Sequence, residues 1–144
     1  MNEPEAILDM LGFAAPGAGA AQRTLAVVGL SDNPYKASYS VSEYMQQHGY
    51  RILPVNPFIT SALGETSYAS LHDLPFKPDV VNVFRLPQFI PAVVDDMIAL
   101  GLKNLWVQLG ISNPASAARA EQAGISVVMD RCILIEHRRL AARV

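Results

Sequence analysis

Cysteine is nearly absent from this chain of 144 residues, and its scarcity limits the sites that the protein can build. The one cysteine, Cys132, excludes an internal disulfide framework and favours a reducing compartment, which predicts a cytoplasmic protein. The three histidines have no ligand-like spacing relative to one another or to Cys132. The sequence therefore predicts no metal site.

Strong charge and long apolar runs are lacking as well. A formal net charge of -2 argues against a protein that coats nucleic acid, because such proteins carry a strongly basic face. No segment approaches the ~18 consecutive apolar residues of a membrane span. Glu3, Glu5 and Asp9 make the first residues acidic, which is the reverse of a signal peptide. We expect neither nucleic acid nor a membrane as a partner.

Apolar residues make up 51% of the chain, which is ample for the core of one domain. We expect residues 1–22 to form a short helix and a lead-in segment, and residues 23–144 to form the domain. Five apolar runs without polar alternation are typical of parallel strands covered on both faces, which predicts a doubly wound α/β fold. These runs cover residues 25–30, 52–55, 80–84, 105–109 and 126–129.

Helical signals separate most of these runs. Ser40 and Glu43 form a capping-box pattern that predicts a helix beginning at Ser40. Asn113 as N-cap and Pro114 as the first helical residue predict another. Apolar periodicity predicts three more helices, over residues 3–12, 90–100 and 131–140.

Right-handed winding predicts the strand order 3-2-1-4-5, counting the apolar runs along the chain. Ligands of such folds bind where the order reverses, which here means beside strands one and four. That arrangement would place Gly29, Ser31, Gln108 and Gly110 around one crevice.

The loop after the first run is a partial match to a nucleotide-binding turn. A dinucleotide site of the usual kind has the pattern G-x-G-x-x-G and an acidic residue that ends the next strand. Here only Gly29 fits, Ser31 and Pro34 occupy the other two glycine positions, and the second run ends without Asp or Glu. The pattern favours a nucleotide ligand other than NAD, and an NAD(P)-linked oxidoreductase or nucleotide sensor stays the alternative.

Short segments at the ends of the predicted strands resemble, in order, the small stand-alone coenzyme A-binding domain family. That family is similar in turn to the N-terminal domain of the succinyl-CoA synthetase α-subunit. The resemblance covers roughly residues 24–138 and depends on several segments together, since one alone would be weak. The segments are VVGLSDNPYKASY at 27–39, PVNP at 54–57, VVNVFR at 80–85, WVQLGI at 106–111 and VVMDRCI at 127–133.

The resemblance implies a Rossmann-like domain that binds coenzyme A or an acyl-CoA. The turn from Gly29 to Ser31 would lie under the diphosphate, with Lys36 near the phosphates. Val55 and Pro57 would form an apolar wall for the adenine, with Asn56 between them as a further site residue. Phe84 and Arg85 would flank the opposite edge, with Gln108 and Gly110 along the crevice. The synthetase relatives carry a phosphorylated catalytic histidine in a second domain that this sequence does not contain, which favours binding without catalysis.

Each of these residues also has an ordinary structural interpretation. Gly29 can be a turn residue at a strand end, and Lys36 a solvated cation. Asn56 between two prolines can fix a turn through its side chain. Cys132 can be a small buried residue, with a mixed disulfide to coenzyme A as the alternative. If Gly29 instead meets the phosphates, a side chain there is expected to block the ligand and leave the fold intact.

Overall fold

A computed structural model describes residues 3–14 and 23–143 of the chain. In this range the secondary structure follows the order α1 (Glu3–Leu11), β1 (Thr24–Val28), α2 (Ala37–Gln47), β2 (Arg51–Val55), β3 (Ser61–Ala62), β4 (Glu65–Thr66), β5 (Val80–Val83), α3 (Ile90–Leu100), β6 (Asn104–Val107), α4 (Pro114–Gln122), β7 (Ser126–Met129) and α5 (Ile133–Ala141). Short 3-10 helices occupy Leu71–Asp73 and Pro87–Phe89. The five predicted strands are therefore present as β1, β2, β5, β6 and β7.

These strands form one parallel sheet in the order β2-β1-β5-β6-β7, which confirms the predicted doubly wound α/β class. The predicted strand order 3-2-1-4-5 is wrong, since the third apolar run pairs with β1, from Leu25 opposite Val80 to Val28 opposite Val83. Apolar composition does not encode which edge of β1 a returning strand takes. The order reverses between β1 and β5, so this pair and not β1 with β6 borders the crevice.

Helices cover both faces of the sheet and create two apolar cores. On one face, Leu25, Val27 and Trp106 pack with residues of α1, α2 and α5. On the other, Val28 and Val83 pack with residues of α3 and α4. Successive strand residues point to opposite faces, so burial on both sides explains why the runs lack polar alternation.

The helix beginnings test the capping signals one by one. Asn113 is the N-cap of α4, and its side-chain oxygen accepts a hydrogen bond from the Ser116 amide at 3.1 Å, as predicted. The prediction of a capping box at Ser40 is wrong, because α2 begins at Ala37 and the Ser40 hydroxyl donates to the Ala37 carbonyl oxygen. The Ser40 side chain therefore bonds to the backbone within the first turn of α2 and does not cap the helix from the position before it.

The open edge of β2 carries a covering segment. The Tyr68 amide donates to the Pro54 carbonyl oxygen at 3.0 Å, and the Asn56 amide donates to the Tyr68 carbonyl oxygen at 2.8 Å. The two-stranded antiparallel pair of β3 and β4 precedes this contact. The connection from β2 to β5 thus returns along the sheet edge before it crosses to β5.

Helix α1 shares the core of the sheet. Its Met10 and Leu11 are fully buried, and the Tyr50 hydroxyl donates to the Leu11 carbonyl oxygen. The predicted division at residue 22 stays a prediction, since residues 15–22 lie outside the described ones. No helix in the described ranges is long and apolar enough to cross a membrane. The cytoplasmic location stays a prediction.

A buried histidine joins α2 and α5. His137 is 3% exposed, and its Nδ1 lies 2.8 Å from the Tyr44 hydroxyl. The rings of Phe13, His48 and Tyr50 lie within 5.7 Å of its ring centre. Burial, and secondly the charge of His48, lower the pKa of His137 below the ordinary value of 6.5. The fold therefore holds this imidazole in its neutral form.

We expect the free energy of unfolding to fall as the pH drops below about 6.5, because the unfolded chain then takes up a proton that folded His137 refuses. The loss grows until the pH reaches the lowered pKa of the folded state, and each unit between the two pKa values is worth about 1.4 kcal/mol. Urea unfolding between pH 7.5 and 5 measures this loss. His137→Gln should flatten the dependence, whereas the exposed His72→Gln should not; an equal slope in both variants would contradict the assignment.

Candidate functional site

Gly29 directly follows β1 and lies against the backbone of the residue that follows β5. Its φ is +89°, its amide donates to the Val55 carbonyl oxygen at 2.9 Å, and a Cβ built on it would lie 2.5 Å from the Phe84 carbonyl oxygen. No side chain fits this position without displacing the backbone. The expectation that a side chain at Gly29 leaves the fold intact is therefore wrong, because this glycine is a requirement of the strand packing.

The loop after Gly29 is held by its own side chains. The Ser31 amide donates to the Ser38 hydroxyl, and the Ser31 hydroxyl accepts from the Asn33 amide, each at 3.0 Å. A hydroxyl keeps one proton to donate when it accepts a bond, so Ser31 can still donate to a ligand. Lys36 is the exposed N-cap residue of α2. The loop thus carries a hydroxyl and a cation to the start of a helix.

The start of α2 has the properties of an anion site. The first bond of α-helical spacing runs from the Ser40 amide to the Lys36 carbonyl oxygen at 3.1 Å. The amides of Ala37 and Ser38 precede it and lie at the positive end of the helix dipole. These amides and Lys36 together favour a negatively charged group.

A pocket of about 170 Å³ lies beside this loop, on the α3 side of β1 and β2. Its lining is mostly apolar and comprises Val28, Val55, Pro57, Ala69, Ser70, Leu71, Arg85, Phe89, Ala92, Val93 and Asp96. Sites for whole small molecules usually measure ~300–1,000 Å³, so this pocket has room for one end of a larger ligand. Three of the residues predicted for the site, Val55, Pro57 and Arg85, lie in it together.

Arg85 is the basic residue among those that line this pocket, and Asp96 is the acidic one. Its guanidinium carbon lies 4.1 Å from the centre of the Phe89 ring. The ion pairs of the described residues involve His72, Arg119, Arg131 and Arg139, and none involves Arg85. A partly buried arginine without a carboxylate partner favours an anion from outside the chain.

Several other predicted residues have structural contacts of their own. The Asn56 side chain donates to the Leu30 carbonyl oxygen at 3.0 Å and accepts from the Phe58 amide at 2.9 Å, so it ties the loops after β1 and β2 together. Gln108 is 4% exposed, and its Oε1 accepts from the Ile133 amide at 3.1 Å. The Gly110 amide donates to Asp130 at 2.7 Å. Neither Gln108 nor Gly110 lines the pocket, and their contact with a ligand stays a prediction.

The remaining predicted residue, Phe84, packs against the core that includes α2 and α5 and not against the pocket. Its carbonyl oxygen is the atom that leaves no room for a Cβ at Gly29. Cys132 is half-buried at the N-cap of α5 and packs against the core that includes Val27 and Trp106. The described residues contain no group of three or more His, Cys, Asp and Glu side chains that could hold a metal ion.

Sequence reasoning missed the second wall of the pocket. Ser70 and Leu71 come from the connection before β5, and Phe89, Val93 and Asp96 come from α3 or the residues just before it. His72 lies 3.0 Å from Asp96 and joins these two segments. A signal was present for α3, because its apolar stripe marks the face that packs on the sheet, but nothing in the connection marks a lining residue.

Comparisons with known proteins match most of the chain. The family model described as a CoA binding domain matches residues 23–138. The uncharacterized protein YneT of Bacillus subtilis is 39% identical over 115 residues, which are 80% of this chain and 85% of that protein. The structure of cell-free ID.343 from Thermus thermophilus is 36% identical with a TM-score of 0.82, and the match covers 97% of this chain and 99% of that one.

A longer enzyme shares the fold over part of its length. Dinucleotide forming acetyl-coenzyme A synthetase 1 of Ca. Korarchaeum cryptofilum is 24% identical with a TM-score of 0.64. The match covers 74% of this chain and 25% of that one. The fold therefore occurs both in a chain of similar length and within a larger protein.

We expect Gly29→Ala to lower the free energy of unfolding by more than about 2 kcal/mol. A positive φ alone costs an L-residue about 1–2 kcal/mol, and the contact with the Phe84 carbonyl oxygen adds to that cost. Gly49→Ala is the matched control, since Gly49 has a φ of +93° and nothing within 4 Å of a built Cβ. Urea unfolding of both variants measures the difference in the free energy of unfolding. Equal losses in the two variants would show that the ends of β1 and β5 separate easily enough to make room for a Cβ.

Proposed function

The chain belongs to the CoA binding domain family, and from this membership we propose that it binds coenzyme A or an acyl-CoA at the crevice between β1 and β5, without catalysis of its own. The observation that carries the proposal is Arg85, which has no ion-pair partner among the described residues and lines a mostly apolar pocket beside the Gly29 loop. Coenzyme A combines a flat apolar base with three phosphate groups, so it matches an apolar pocket next to two separate anion-favouring groups.

The pocket suits the adenine end of the ligand. Val55 and Pro57 supply an apolar wall, and Phe89 supplies a ring on which Arg85 already stacks. The volume of about 170 Å³ accommodates a base and leaves the rest of the ligand outside. The second strand ends without a carboxylate, which suits a ribose that carries a phosphate better than the free ribose hydroxyls of NAD.

The phosphates are proposed to divide between two places. The Arg85 guanidinium at the pocket is the proposed partner of the ribose phosphate, because it adjoins the base site. The diphosphate is proposed to lie at the start of α2, where Lys36 is the N-cap residue and the Ser31 amide is bonded to the Ser38 hydroxyl of the first turn. Gly29 contributes by its close approach to β5, and its own amide is already bonded to Val55.

Two cation variants test this division by calorimetry with coenzyme A and dephospho-coenzyme A. Arg85→Glu should weaken coenzyme A by roughly 10-fold to 100-fold and dephospho-coenzyme A far less, since a bond to a charged group is worth about 1.5–3 kcal/mol. Lys36→Glu should weaken both ligands similarly. Tighter binding of NAD than of coenzyme A by the parent protein would overturn the choice of ligand.

The chain offers a matched control for Arg85. The Arg51 guanidinium carbon also lies over an aromatic ring, 4.9 Å from the centre of Phe76. Arg51 is the first residue of β2, so it lies at the amino ends of the strands and the pocket lies at their carboxyl ends. Arg51→Glu should therefore leave both affinities unchanged. If it weakens binding as much as Arg85→Glu does, the effect comes from net charge and the pocket assignment is wrong.

The side chains near the pocket support binding without turnover. The Ser70 hydroxyl donates to Asp73 at 3.0 Å, and His72 is engaged with Asp96. Serine nucleophiles are commonly activated by an adjacent histidine, and among the described residues the Ser70 hydroxyl is bonded to the Asp73 carboxylate and not to the His72 imidazole. The polar groups around the pocket hold one another in place.

The purified protein should therefore leave acyl-CoA intact over hours in an assay that detects the free thiol. It should also form no acyl-CoA from an acid and a nucleoside triphosphate. Steady cleavage that survives extensive purification and disappears in Arg85→Glu or His72→Gln would overturn the proposal that the site lacks catalysis.

A further inference from the structure

Among the described residues, large apolar side chains are exposed mainly at the end of the molecule where the parallel strands have their carboxyl ends. Of the eight such residues among those described, five lie in loops at the carboxyl ends of the parallel strands. We call these five the apolar rim: Tyr35 (97% exposed), Phe58 (88%), Leu86 (61%), Leu109 (60%) and Phe89 (41%). Single exposed apolar residues are ordinary, but a set collected along one edge marks a binding surface.

The rim follows the order of the strands. Phe58 comes after β2, Tyr35 after β1, Leu86 and Phe89 after β5, and Leu109 after β6. The other three residues are scattered, with Ile98 on α3, Ile135 on α5 and Phe76 under the Arg51 guanidinium. The exposed apolar surface therefore runs along the edge that holds the candidate site.

Leu86 and Leu109 stand apart from the nucleotide pocket. Neither lines the pocket, which is bordered by the ends of β1 and β2 and by α3. Val83 pairs with Val107, and the Asn113 side chain donates to the Pro87 carbonyl oxygen at 3.1 Å, so the loops after β5 and β6 lie side by side. The two leucines therefore form the part of the rim on the β6 side of the crevice.

We propose that this part of the rim binds the acyl chain of an acyl-CoA, so that the ligand class is a thioester with an apolar acyl group of several carbons and not free coenzyme A. This inference rests on the proposed function. If the base lies on the β2 side and the diphosphate at the loop after β1, the pantetheine arm leaves toward β5 and β6. The distance from β1 across β5 to β6 is two strand spacings, or about 10 Å. The extended pantetheine arm is longer than this, so it can carry the acyl group to the loop after β6.

Free coenzyme A has no apolar group that would cover Leu86 and Leu109, which lie outside the pocket and are each more than half exposed. An acyl chain laid across them removes apolar surface from water on both sides of the contact. Each methylene that becomes fully buried raises the affinity about fourfold, so burial of two raises it about fifteenfold. The gain should increase with chain length until the chain extends past the rim.

Calorimetry with coenzyme A, acetyl-CoA, butanoyl-CoA and octanoyl-CoA, all below micelle-forming concentrations, tests the inference. We expect octanoyl-CoA to bind at least about tenfold tighter than coenzyme A, with a heat-capacity change that becomes more negative with chain length. Equal affinities along the series would overturn this inference and leave the proposed function standing. Failure of every ligand to bind would instead overturn the proposed function.

Two pairs of variants separate the rim from apolar surface in general. The double variant Leu86→Ser, Leu109→Ser should bring the affinity ratio of octanoyl-CoA to coenzyme A close to one. Ile98→Ser with Ile135→Ser, which changes exposed apolar residues outside the rim, should keep the ratio of the parent. An unchanged ratio in the first double variant would contradict the assignment.

Sedimentation of the same proteins tests the rival occupant of the rim, a second copy of the chain. We expect both double variants to have the same oligomeric state as the parent protein. If the leucine variant dissociates an oligomer and the ligand series shows no dependence on chain length, the rim is an interface between copies and the acyl assignment is wrong.

Discussion

The candidate site depends on the contact between Gly29 and the backbone of β5. Gly29 is held from one side by its bond to the Val55 carbonyl oxygen and faces the Phe84 carbonyl oxygen on the other, with no room for a Cβ between. The chain must therefore leave the sheet at this residue, with a positive φ, and the loop that follows leads directly into α2. The same contact sets Arg85 beside the loop, because Arg85 is the next residue after the carbonyl that Gly29 meets.

The fold class was predictable because burial on both faces shows in composition. Trp106 and Val107 illustrate this, since they are neighbours in β6, face opposite cores and are both fully buried. The strand order was not predictable in the same way. The connection from β2 to β5 bonds to the outer side of β2, as Tyr68 does with Pro54, through residues that have no apolar periodicity to reveal them.

The lining of the candidate pocket was predictable where it follows the ends of strands and not where helices and connections close it. Val55, Pro57 and Arg85 come directly after or at such ends, and they line one pocket. Gln108 has the same sequence position, yet its side chain faces inward and caps the start of α5 through the Ile133 amide. A position after a strand thus places a residue at the carboxyl ends of the strands, while local bonding decides whether its side chain lines the pocket or packs inside the fold.

The covering of β2 restricts how copies of this protein can associate. In a parallel strand the amide and carbonyl of one residue point to the same side, so the outward side near the end of β2 presents Pro54 and Asn56. Pro54 has no amide hydrogen, and its carbonyl and the Asn56 amide are both bonded to Tyr68. A further strand therefore finds few free partners at this end of β2, which disfavours extension of the sheet across it.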